Sequence, residues 1–382
     1  MWKRRRQFWV RLLATLALVG VWASAGRADE GHDHGGGTGD GSGGGSTTTT
    51  STTAPPGTSP PTTNPSMAPD GYEPPPPMWD PKNYPVNTTP GARRSVMRYG
   101  PYTIPGATNP ETGGHGHSHT GNVFVPNVAK PCTDCYITGM TARLTYTDGR
   151  EANWNTDAQL HHMVLFNAGF GRSDATCGTS LLGFLGERFF AAGNERTPMR
   201  FPRPYGYYVG RFDTFNMIYE LAGTSTQDQQ VIIEMTYDWV PSSTPGMKRM
   251  DPVWLDIDQC GDSEYEVPAG PSSRSWTWRV NRPGKLIGLG GHLHDGGTWI
   301  DVVHRQTGQL LCRSFAFYGG DPAYRDHHGV DHLSAMWVCG EPNGFPIAEL
   351  QNGQEVTITA HYQPREPVPD AMGIVIMWVG RS

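Results

Sequence analysis

Fourteen histidines carry the richest chemistry in this 382-residue chain, and they are clustered. Two clusters fall in strand-like sequence. One is His161-His162-Met163-Val164-Leu165-Phe166. The other is Gly290-Gly291-His292-Leu293-His294-Asp295-Gly296-Gly297. In a strand His292 and His294 project from the same face, about 6–7 Å apart in rise. Two imidazoles so placed can grip one metal ion, and the flanking glycines let other segments approach. His161 and His162 point to opposite faces of a regular strand. They can serve one ion only at a bulge or a strand end. The competing reading of any such histidine is a solvated or hydrogen-bonded residue; the His-x-His between paired glycines favours metal, whereas the tandem pair alone does not decide. Near the C-terminus Asp370-Ala371-Met372 precedes an apolar run to Trp378. A thioether beside two imidazoles selects copper, Cu(I) above all, over zinc, although a methionine ordinarily packs a core. Asp295 is placed to orient a ligand histidine.

The remaining histidines carry weaker signals. His32-Asp33-His34 and His115-Gly116-His117-Ser118-His119 lie in flexible sequence. They read as solvated segments before they read as loose copper carriers. His327, His328 and His332 lie in a loop near Cys339, where a plain surface loop is favoured over an added ligand or proton donor.

These side chains must be positioned by strands. From about residue 96, short apolar-alternating runs are separated by Gly, Pro, Asn and Asp. In Val231–Trp239, the side chains of Ile233, Met235, Tyr237 and Trp239 share one face, and Glu234, Thr236 and Asp238 the other, as in a half-buried strand. Trp276, Trp278 and Val280 alternate likewise, as do Val356, Ile358, Ala360 and Tyr362. Thr147-Asp148-Gly149 and Thr307-Gly308 read as hairpin turns. No segment carries a helical stripe. The expected fold is all-β: two tandem jelly-roll-like β-sandwiches, 96–266 and 267–382, the second holding the His-x-His and Met motifs.

Ahead of them stand two segments of another texture. Residues 1–28 pair a basic start with the apolar run Leu12–Ala23 and a small-x-small site at Ala23-Ser24-Ala25, as a secretory signal peptide does. Arg5-Arg6 also fits a twin-arginine signal. Residues 29–95 form a Gly/Thr/Pro-rich linker that cannot bury enough apolar surface to fold, so disorder is expected. Gly (49) and Pro (33) together make about a fifth of the chain. Asn87-Thr88-Thr89 is a glycosylation sequon only in a eukaryotic host.

Export removes six of the 30 basic residues and none of the 36 acidic ones, so the mature charge is −12 (24 basic against 36 acidic). Such a surface disfavours nucleic acid and anionic lipid, and no membrane span is expected after signal cleavage. Six cysteines in an exported chain imply disulfides. Cys312 and Cys339 are close enough in the chain to pair. Cys132-Thr133-Asp134-Cys135 has redox spacing but no strand-then-helix pattern after it. It reads as one structural element or as two separate bridges.

The ordered set His161-His162-Met163, His292-Leu293-His294 and Asp370-Ala371-Met372 resembles the copper type II, ascorbate-dependent monooxygenases, of the peptidylglycine alpha-hydroxylating and dopamine beta-monooxygenase kind. The stretch Gly291–Gly297, with Gly308–Cys312, Tyr318-Gly319-Gly320, Cys339, Asn352-Gly353-Gln354 and Met372-Gly373, is similar to the stress-up-regulated nodulin family. The resemblance covers about residues 130–382. It implies two jelly rolls and one or two copper ions. His292, His294 and Met372 would form the oxygen-binding centre. His161 and His162 would supply the electron-donating one, with ascorbate or another external reductant and a small-molecule or peptide substrate. One departure stands out: no histidine occurs between His162 and His292, where the hydroxylases place a third. Tyr219 or Met217 on Phe215–Glu220, or His115, His117, His119 or His361, are the candidates to replace it.

Three functions follow, in order of expectation: a secreted or cell-envelope copper oxidoreductase that hydroxylates a C–H bond, a non-catalytic copper-binding protein, and a metal-free double sandwich that binds glycan or protein.

Overall fold

A computed structural model describes residues 89–108, 118–178, 185–261, 263–340 and 346–381. The signal segment, most of the linker, the sequon at Asn87 and His32, His34, His115 and His117 lie outside them. The fold is all-β, as the alternating runs require; the described helical turns are the short 3-10 segments Trp154–Thr156 and Pro322–Tyr324.

A ten-stranded sheet runs through the molecule. Its path is Arg93–Ile104, Gln229–Pro241, Cys135–Tyr146, Tyr205–Val209, Lys248–Asp256, Gly373–Gly380, Gly284–Leu293, Val338–Gly340. Two five-stranded sheets pack against it. One contains Ser118–His119, Phe215–Gly223, Ala158–Asn167 and Glu187–Gly193, with Val123–Val128 on its edge. The other contains Ser272–Arg279, Glu355–Tyr362, Gly297–His304, Gln309–Tyr318 and Leu333–Met336. In the latter, Trp276 opposes Ile358 and Trp278 opposes Val356, so the two alternating runs read from sequence are neighbours.

The last strand explains how the halves are joined. Gly373–Gly380 is buried along its whole length. Ile374, Ile376 and Trp378 enter the first core, and Val375, Met377 and Val379 the second. A continuous apolar run is what a strand with two covered faces needs. Lys248–Asp256 pairs with it and divides in the same way, with Trp254 in the first core and Val253 and Leu255 in the second.

The strand Gln229–Pro241 departs from its expectation. Its polar face is covered as well, because Arg94 pairs with Asp238 at 2.8 Å, while Arg98 and Arg143 pair with Glu234 at 2.6 and 2.7 Å. Three disulfides form: Cys132–Cys135, Cys177–Cys260 and Cys312–Cys339. The Cys-x-x-Cys pair is thus one bridge closed on itself rather than two separate ones.

Asp256 ends its strand almost fully buried. It accepts from Ser263 Oγ at 2.5 Å and from the Asp258 N–H at 2.9 Å, yet burial still pushes its carboxyl up to about 6. A raised carboxyl pKa means the folded state binds its proton more tightly than the unfolded chain does. The resulting stabilisation is present near pH 4 and lost as pH rises through 6. Asp256→Asn should therefore gain stability over the wild type as pH rises from 4 to 7, by on the order of 2 kcal/mol. Urea denaturation of both proteins at pH 4.5 and 7 tests this; an equal difference at both pH values would contradict it.

Candidate metal centre

The strand Ala158–Asn167 carries the tandem histidines between Glu187–Gly193 and Phe215–Gly223. Leu160 opposes Leu221 and His162 opposes Glu220, so His161 is the extra residue of a bulge. That irregularity meets the condition set by the tandem spacing, because both rings now enter one space with centroids 5.2 Å apart. His292 opposes Ile374, and Leu293 turns into the second core. His294 follows the strand end, its ring 5.3 Å from that of His292.

The two motifs converge. His161 and His294 rings lie 4.7 Å apart, edge to face, and His119 joins from the other side at 5.2 Å from His161. Five imidazoles therefore form one contiguous cluster between the two halves. Donor atoms within 4.8 Å of one another form three groups: His119, His161 and Glu220; His161, His294 and Asp370; His162, Glu220 and Glu264. His161 and Glu220 each belong to two.

Glu220 is the group that sequence reasoning missed. It lies on the strand expected to supply the replacement ligand, one residue from Tyr219. Tyr219 instead packs against Tyr102, ring centroids 4.3 Å apart, and Met217 is sealed in the core. Residues directly opposite in an antiparallel pair share a face, so it is Glu220 that meets His162. Its Oε2 is 3.2 Å from His162 Nε2 and 3.8 Å from His161 Nδ1, and its Oε1 is 3.2 Å from His119 Nδ1. His361 lies elsewhere, stacked on Trp299 at 4.6 Å.

Glu195 takes the orienting role expected of Asp295. Its Oε1 is 2.9 Å from His292 Nδ1, which leaves His292 Nε2 to face the cluster. Gly193 makes that contact possible: a Cβ there would lie 2.6 Å from His292 Cε1 and strike the Glu195 carboxylate. Asp295 instead holds His332 Nδ1 at 2.5 Å and accepts the Leu333 N–H. His332 stacks on Trp154 at 3.5 Å, beside the cleft. His327 approaches Asp157 at 3.5 Å and lies against His328 with the rings tilted.

Two spaces flank the cluster. A polar cleft of about 290 Å³ is lined by His119, His161, His292, His294 and Asp370. An apolar chamber of about 60 Å³ is bordered by His162, His292 and Met372. Met372 is 3% exposed; it both packs the first core and faces this chamber.

Electrostatics keep His161 and His294 neutral. Burial, reinforced by His162, pushes His161 down to about 3, and burial with His161 and His292 pushes His294 well below its ordinary value. For Glu220, burial acts upward, but the hydrogen bond with His119 and the adjacent His162 and His161 imidazoles outweigh it and keep it ionised. Neutral imidazole and ionised carboxylate are the forms that ligate metal.

The chain is 30% identical over 285 residues to "Probable copper-dependent oxygenase M1" of Phoma sp., covering 72% of this chain and 67% of that protein. It is 29% identical over 241 residues to "Probable copper-dependent oxygenase clz3" of Cochliobolus lunatus, covering 60% and 72%. The chain belongs to this family of probable copper-dependent oxygenases. No family model matches it. The major capsid protein P2 of bacteriophage PM2 is similar at a TM-score of 0.29 and 11% identity over 76% of this chain and 98% of that one. That likeness is too faint to carry a functional meaning.

The donor set fits the metal of a copper-dependent oxygenase. His161 Nδ1, His162 Nε2, His292 Nε2 and His294 Nε2 are all buried without a hydrogen-bond partner; His162 Nε2 is close to Glu220 but not at a hydrogen-bonding angle. Buried polar atoms are rarely left bare, and four in one cluster mark a place for a cation. Imidazole suits copper, and a thioether nearby suits Cu(I). Glu220→Gln keeps the shape and removes the charge that three histidines face. It should weaken copper binding about 10–100-fold, the range typical when groups around a metal ligand are lost. Tyr219→Phe and Met217→Leu should leave it unchanged. Chelator competition measures all three; equal affinity in Glu220→Gln would show that the carboxylate is a bystander.

Proposed function

We propose that the protein is an exported copper-dependent oxygenase that hydroxylates a C–H bond of a small-molecule or peptide substrate. It would draw two electrons from an external reductant of the ascorbate class. One oxygen atom would enter the C–H bond, and the other would leave as water with two protons. The observation that carries this reading is the convergence of four imidazoles with buried, bare nitrogens from both sequence motifs.

His292, His294 and His161, with Met372 at the chamber edge, would hold copper on one side of the cluster. His162, His119 and Glu220 would hold it on the other. Copper bound there supplies one-electron redox chemistry toward dioxygen. The chain supplies the rest. Glu195 fixes the His292 ring, Glu220 gathers three histidines, and the bulge at His161 joins the two groups. The short ring-to-ring steps, 4.7–5.3 Å, favour one connected centre over two isolated ones. The three disulfides suit an oxidising compartment and so support export.

The test pairs elemental analysis of the copper-loaded protein with an oxygen electrode. Reductant-dependent oxygen uptake that candidate substrates stimulate and chelation abolishes is the expected result. Copper held tightly, with no uptake under any reductant, would leave a copper-binding protein without catalysis.

A further inference from the structure

The chamber beside His162, His292 and Met372 is not explained by metal binding. Its floor is a row across three paired strands: Val164 opposes Ala191 on one side and Ile218 on the other. Its roof comes from the opposing sheet, where His292 opposes Ile374 and Trp254 lies on the neighbouring strand. The floor residues Val164 and Ala191 are only partly buried, so the floor is exposed to the space above it. Among the described lining residues Arg188 carries the permanent charge, and it is committed to Asp174 at 2.6 and 3.0 Å. Among the described residues that line the chamber, no other permanent charge is left to recognise an ionic ligand. An apolar space of this kind is poorly served by water and takes apolar guests.

We propose that this chamber is the substrate-side pocket, and that it seats an uncharged aliphatic group of a few carbons against the His162–His292–Met372 edge of the cluster. The assignment rests on the oxygenase reading for its catalytic meaning but not for binding itself. The polar cleft on the far side, lined by His119 and Asp370, is then free for solvent and a water-soluble reductant.

The test uses 4,4,4-trifluorobutan-1-ol followed by fluorine NMR, first with the metal-free protein. Saturable binding is expected. Ala191→Phe fills the floor and should weaken it at least ~10-fold, since a filled cavity leaves the guest no contact surface. Ile218→Ala enlarges the space and should raise the affinity for 2-(4-fluorophenyl)ethanol several-fold relative to the trifluoro alcohol, which keeps the test intact if Ala191→Phe does not fold. In protein loaded with Cu(II), the fluorine signal should broaden beyond that in Zn(II)-loaded protein. Absent saturable binding, binding that neither variant alters, or no copper-dependent broadening would each overturn the assignment. Because affinity is read without metal, a protein that binds the alcohol this way but takes up no oxygen loses the catalytic reading and keeps the chamber.

Discussion

His161→Ala is expected to lower copper affinity by more than ~100-fold and to abolish oxygen uptake while the protein stays folded. Loss of a group behind a metal ligand already costs about 10–100-fold, and His161 occupies a ligand position in two donor groups at once. Its ring lies within 4.7–5.2 Å of the His294, His119 and His162 rings, so its removal separates the tandem motif from the His-x-His motif. The metal-free fold should tolerate the change. His161 is neutral and its Nδ1 is already buried without a partner, so alanine removes an unsatisfied atom as well as packing. His361→Ala, made on a histidine outside the cluster, is the control. Copper raises stability by RT ln(1 + [Cu]/Kd), so a 100-fold weaker site forfeits about 2.7 kcal/mol of that gain at saturating metal. Thermal melts with and without copper read this directly. A His161→Ala protein whose melting temperature still rises with copper as the wild type's does would remove His161 from the centre.

The residues that sequence located and those it missed differ in the range of the information they need. His-x-His between glycines is a local pattern, and alternation alone puts both rings on one face. The tandem pair was legible as a condition, a bulge, that structure then met. Glu220 was not legible because Phe215–Gly223 is buried at every position, and a buried run hides which of its two faces bears function. Its opposition to His162 depends on register across 58 positions of chain, and one residue of slip would have substituted Tyr219. His119 could be named as a candidate but not placed, since its two-residue strand is positioned by long-range pairing with Ala222 and Gly223. Glu195 sits in a turn with no local mark of its role. The strand Gly373–Gly380 shows the converse: its unbroken apolar run announces a strand covered on both faces but does not say by what.

Arg188→Met should destabilise the protein by about 3–5 kcal/mol, the cost of leaving one member of a buried ion pair alone. Arg188 and Asp174 side chains are 3% and 2% exposed. The guanidinium also reaches Thr176 Oγ1 at 3.1 Å and Cys177 Sγ at 2.8 Å, and lies 4.7 Å over the Trp254 ring. It thereby ties the Glu187–Gly193 strand to the strand that carries Trp254, across the chamber. Burial alone would raise the Asp174 carboxyl, but Arg188 and the N–H groups of Cys177 and Thr176 bring it down to about 2. A depressed carboxyl pKa gives stability that is full above about pH 4 and is lost as pH falls toward 2. In Arg188→Met the stranded carboxylate favours its proton instead, so the penalty should shrink as pH falls. Asp174→Asn with Arg188→Met removes both charges and should recover part of the loss, which a double-mutant cycle in urea would quantify. Full additivity in that cycle would mean that the pair does not act as a unit. If Arg188→Met loses stability and copper affinity stays unchanged, the pair supports the chamber wall and not the metal ligands, although His162 and His292 border the same chamber.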